Sequence, residues 1–319
     1  MADTIELRSP WLVAVWPGMG HVALNAGYYL MAKLGMELIA ELEAGDLFDV
    51  DHVEVKRGLI QPGRRPRNRF FVWNDPKEER DLVVFLGEAQ PPLGKYPFCK
   101  QLVSYVKKLG VERVFTFAAM ATPMRPEDRS RVFGAATDAD NLDELKRLGL
   151  DVHEEGHIGG LNGVLLGVAM EAGLPGACLL GEMPHVFARL PFPKASQAVL
   201  EVFTEMAGIE LDFTELSEQA RTTEEQLGEL MARVEGTFTE GDEGNEPEAE
   251  GDEEEEKASL EPPESPGPGS ADRRRSEGLF NQAKMDRSKA FELKRELDRL
   301  DAFKEYEDRF LDLFKKPPE

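Results

Sequence analysis

Apolar positions along this chain change their spacing several times, and each change predicts an element. Residues 12–18 form an unbroken apolar run closed by Pro17-Gly18, the pattern of a short buried strand ending in a turn. From His21 the spacing becomes three and four. Leu24, Tyr28, Met31, Leu34, Leu38 and Leu42 then fall on one face, which predicts a long helix. Residues 52–60 alternate and predict one strand. A loop with Arg64, Arg65, Pro66, Arg67 and Arg69 leads to another strand at 70–73. The apolar run 81–87, bounded by turn signals, predicts a parallel strand covered on both faces. Helices are expected at 97–109, 142–148, 160–172, 193–207 and 213–234. Strands are expected at 113–118, 132–136 and 177–180. This alternation predicts an α/β three-layer sandwich with a parallel or mixed sheet.

The pattern stops after Glu235. Residues 236–272 carry 14 acidic side chains against the single Lys257 and almost nothing apolar, so a disordered acidic linker is expected. Helical spacing returns in 273–319. Leu293, Leu297, Leu300, Phe303, Phe310, Leu313 and Phe314 form a stripe that requires a surface, whether the chain's own core or a partner. The expected organisation is a core at 1–235, a linker at 236–272 and one amphipathic helix at 273–319. The linker holds more than half of the formal net charge of −23. An acidic core and linker both repel phosphate backbones, so nucleic acid is not an expected partner.

Cys99 and Cys178, each in an apolar stretch, read as small buried hydrophobes in a reducing compartment. Residues 1–6 lack the basic and apolar regions of a signal peptide, and no run approaches the ~20 apolar residues of a membrane helix. A cytoplasmic location without membrane contact is expected.

Three places invite chemistry. Gly18, Met19 and Gly20 precede His21 at a strand-to-helix turn, where helix N–H groups can face an anion or the helix can simply pack closely. Gly159, Gly160, Asn162 and Gly163 open a second helix and permit either a nest of backbone donors or close approach to a sheet or neighbouring subunit. Glu88 follows a predicted strand at the edge where open α/β sheets bind ligands, within Gly87-Glu88-Ala89-Gln90. None completes a dinucleotide fingerprint or a P-loop, and no nucleophile elbow occurs. His21, His52, His153, His157 and His185 show no metal-ligand spacing. No catalytic residue, metal or cofactor is therefore expected. The competing reading is a nucleoside- or phosphate-handling enzyme using the crevice near the two glycine turns.

The order of motifs resembles the proteasome assembly chaperone 2 family. The resemblance rests on Trp16-Pro17-Gly18-Met19-Gly20-His21 and on Gly87-Glu88 with Leu109-Gly110-Val111. It continues through Gly159-Gly160-Leu161-Asn162-Gly163 with Gly173-Leu174-Pro175, then Pro193-Lys194-Ala195 with Gly208-Ile209. It covers about residues 12–220. It implies a sandwich related to the nucleoside phosphorylase fold, self-association, and non-catalytic binding of protein clients such as proteasome α-subunits. Some archaeal relatives end in a hydrophobic–tyrosine–any tripeptide that docks into the proteasome. This sequence ends Pro317-Pro318-Glu319, so that docking mode is not expected.

Overall fold

The computed structural model describes residues 6–48, 53–56, 58–240 and 269–316. In chain order the first elements are β1 (Trp11–Val15), α1 (Val22–Lys33), β2 (Glu37–Glu41), β3 (Glu54–Lys56), β4 (Leu59–Gln61), β5 (Asn68–Trp73) and β6 (Leu82–Gly87). Next come α2 (Lys95–Lys108), β7 (Arg113–Thr122), β8 (Val132–Ala136), α3 (Ala139–Arg147), β9 (Asp151–Val152), α4 (Gly160–Glu171) and β10 (Gly176–Pro184). The helices α5 (Pro193–Ala207), α6 (Thr214–Glu240), α7 (Ser270–Met285), α8 (Ala290–Arg299) and α9 (Phe303–Leu311) complete the order.

Eight strands form one mixed sheet in the order β2-β5-β6-β1-β7-β10-β8-β9. The centre, β6-β1-β7-β10, is parallel, and antiparallel pairs flank it at β5–β6 and β10–β8. Every residue of β1 is buried. Trp11, Val13 and Val15 face a core shared with α1, α5, α6 and the C-terminal helices, while Leu12, Ala14 and Trp16 face one shared with α2 and α4. Strict alternation sends successive residues to opposite layers, so an unbroken apolar strand requires helices on both faces. The expected three-layer α/β class holds.

Three local expectations need correction. The helix begun at Val22 ends at Lys33, because Gly35 takes φ +59° and returns hydrogen bonds from its own N–H to Ala32 and from Met36 N–H to Met31. That left-handed C-terminal motif turns the chain, and Leu38 then belongs to β2. The single strand expected at 52–60 is a hairpin, β3 and β4, turned at Gly58 with φ +77°. The single C-terminal helix is three helices. The chain breaks at Asp286 and again around Asp301, whose φ is +50°.

The expected linker at 236–272 lies mostly outside the described residues. Its first five residues continue α6 and its last three belong to α7.

Candidate functional site

The two glycine turns meet at the carboxyl end of the sheet through a side chain that joins them. Gln90 donates from Nε2 to the Pro17 carbonyl at 3.2 Å, and its Oε1 accepts from the Leu161 N–H at 3.0 Å. The β1–α1 turn and the start of α4 are thus tied by one amide. Gly20 holds φ +59° with Met183 sulfur where a Cβ would sit. Gly160 holds φ +66° against Gln90, and Gly163 lies against the Ile158 carbonyl. Three of these glycines are therefore accounted for within the chain. Gly18 and Gly159 face open space, Met19 is exposed, and the side-chain oxygen of Asn162 is buried without a hydrogen-bond partner.

Glu88 does not join that group. It turns toward the arginine loop, with side chains of Arg69 and Glu88 only 1% and 2% exposed. One oxygen accepts from Arg69 at 2.9 Å; the other lies 3.0 Å from Arg64 and accepts the Arg67 backbone N–H at 3.0 Å. Both oxygens are committed, so Glu88 is an ion-pair partner rather than a free base. Arg67 is also bound by Glu41 through both carboxylate oxygens, and Asp308 of α9 closes the cluster. Gln90 and the arginines stood in the sequence as members of motifs, and their partners were not deducible from it. Asp308 gave no signal, because its contact with Arg69 spans 239 residues.

The C-terminal stripe packs on the chain's own α1. Leu293, Leu297, Phe310, Leu313 and Phe314 are buried in the α1-side core, and Leu300 and Phe303 pack against it. Ring centroids lie 5.2 Å apart for Tyr28 and Phe303, and 4.6 Å apart for Tyr29 and Phe291. Buried Lys294 reaches Asn25 at 3.1 Å and Asp298 at 2.6 Å, over the faces of Tyr28 and Phe303. The Tyr28 hydroxyl donates to Glu307 at 3.1 Å. Arg287 donates to Gly35 and Met36, at the end of α1, and to Leu313 and Lys315. Of the two surfaces expected for this stripe, the chain's own core or a partner, the structure packs it on α1 and the core beneath.

Among the described residues no group of three or more His, Cys, Asp or Glu side chains is placed to hold a metal, and no helix is long and apolar enough to cross a membrane. Both cysteines are free and buried, and burial pushes each thiol up to about 12.

A mixed eight-stranded sheet clad by helices on both faces gives the α/β fold of solved PAC2 family proteins. The chain belongs to the PAC2 family, which it matches over residues 12–231. It resembles Pyrococcus furiosus PbaB, an archaeal proteasome activator, at 27% identity and TM-score 0.61, over 73% of this chain and 96% of that one. It resembles Pyrococcus furiosus PbaA, an archaeal homolog of proteasome-assembly chaperone, at 28% identity and TM-score 0.57, over 74% of this chain and 93% of that one. A PAC2 family protein from Streptomyces avermitilis is similar at 26% identity and TM-score 0.61, over 69% and 95% of the two chains. The family match ends within α6, so α7, α8 and α9 lie beyond it.

Proposed function

We propose that this chain is a non-catalytic assembly module that self-associates and binds protein clients in the cytoplasm, with proteasome-type subunits as the client class. The family match over residues 12–231 carries this reading, supported by the likeness to PbaA and PbaB. The carboxyl-edge geometry agrees with it. Glu88 is consumed by arginines, and the glycine turns serve close packing and the Gln90 bridge. The test is light scattering of the full chain at about 10 µM, where a Kd of that size corresponds to a binding free energy of about −7 kcal/mol, followed by affinity capture with mass spectrometry. The expected result is a particle larger than one chain that co-purifies with proteasome-type subunits. A monomer that recovers no such subunit, or that turns over nucleosides with phosphate, overturns the proposal.

A further inference from the structure

Three guanidinium groups converge on one oxygen. Arg64 Nη1 and Arg67 Nη1 lie 3.4 and 3.1 Å from Asp308 Oδ1, and Arg69 Nη2 is closer still. Each arginine is also held by a carboxylate other than Asp308. Glu41 grips Arg67 at 2.8 and 2.6 Å, and Glu88 holds Arg69 at 2.9 Å and Arg64 at 3.0 Å. The donors are thus fixed from behind and aimed at a common point, which is the construction of an oxyanion site. Three positive charges against Glu41 and Glu88 leave one uncompensated, and Asp308 supplies the missing negative charge. Partial burial acts to raise the Asp308 carboxyl, but the Arg69 hydrogen bond and the charges of Arg64, Arg69 and Arg67 outweigh it and hold the group below its ordinary range. The cluster sits at the carboxyl end of β6, the sheet edge where open α/β folds bind ligands.

One side of the cluster is open. The Asp308 side chain is 44% exposed and that of Arg64 39%, whereas Arg69 is buried. The Asp308 carboxylate can therefore leave by side-chain rotation. Phe310 in α9 and Phe314 just after it are fully buried and anchor this segment, so α9 stays seated.

We propose that Arg64, Arg67 and Arg69 form a binding site for a small oxyanion, which the chain fills with its own Asp308 carboxylate. The site accepts an external phosphate or carboxylate when Asp308 is withdrawn. This inference does not depend on the assembly reading.

The experiment is chemical rescue in the full chain. Thermal unfolding is followed for the wild type, Asp308→Ala, and Asp308→Ala combined with Arg64→Ala. Each is titrated with sodium phosphate, sodium acetate or sodium chloride at matched ionic strength. The expected result is that Asp308→Ala gains at least about 2 °C per tenfold increase in oxyanion above its dissociation constant, beyond the chloride control. The wild type shows no such gain, and Arg64→Ala abolishes it. A response to phosphate alone assigns a tetrahedral ligand, and a response to acetate assigns a carboxylate. Should Asp308→Ala fail to fold, Asp308→Ser serves in its place. Equal responses of variant and wild type, or a gain that survives Arg64→Ala, overturn the proposal.

Discussion

The parallel centre of the sheet and the C-terminal helices bury side chains of similar kind, but they fix their register differently. β1 is five buried apolar residues, positioned by backbone ladders to β6 and β7. The α8–α9 segment has no ladder to hold it on α1, and it carries buried Lys294, Glu296 and Glu307 among its aromatic residues. Polar contacts of fixed geometry, Lys294 to Asn25 and Tyr28 to Glu307, set there what backbone hydrogen bonds set in the sheet. Apolar burial supplies attraction in both regions, but it does not choose between neighbouring alignments of two helices.

The strongest test of this contrast is a pair of equal truncations. Phe310→Ala and Phe203→Ala each remove a fully buried ring, at a cost of about 3–5 kcal/mol. Hydrogen exchange should show the first loss confined to α7, α8 and α9, and the second spread through the sheet. Identical global losses would erase the distinction.

A smaller effect is expected at the edge of the sheet. Gly20→Ala forces a side chain into a left-handed conformation beside Met183, costing about 1–2 kcal/mol in urea unfolding. Unchanged stability would show that this turn tolerates a Cβ. Tyr28→Phe deletes one buried hydroxyl and should cost about 1 kcal/mol, a value that shrinks toward zero in a Glu307→Ala background, where no acceptor remains.

The mildest prediction concerns pH. A carboxyl depressed in the folded state contributes stability that is complete above its unfolded value, about 3.9, and is lost as pH falls through the lower folded value. Asp308 is such a group. Protection of α9 from hydrogen exchange should therefore hold from neutral pH to about 5 and decline below about pH 4. Asp308→Ala should flatten that decline.

Much of the fold was legible in local patterns, because β1, β6, α2, α4 and α5 each announce themselves by period and punctuation. Leu34, Leu38 and Leu42 misled, since a turn followed by a strand preserved the helical spacing by chance. Gly35 was the signal that should have ended the helix. The alternation at 52–60 concealed a turn at Gly58 in the same way. The need of the C-terminal stripe for a surface was legible in its apolar period. Which surface was not legible, because Tyr28, Tyr29 and Phe71 contact it across most of the chain. The carboxyl-edge motifs were visible as glycines, Glu88 and Gln90. Their division into an amide bridge and an arginine cluster depends on three-dimensional neighbours that no spacing encodes.

The contact between Tyr28 and Glu307 joins residues 279 positions apart, and this gives the fold a timetable. Chains grow at about 5–20 residues per second, so α1 emerges roughly 14–56 seconds before its covering helix exists. For that interval the outer face of Tyr28 and Tyr29, which Phe291, Phe303 and Phe310 later cover, stays wet on the nascent chain. Those rings are among the last parts of the α1-side core to be synthesised. A translation product that stops before α8 would therefore lack the rings that cover Tyr28 and Tyr29, and it would carry an aromatic surface open to aggregation that the finished chain buries.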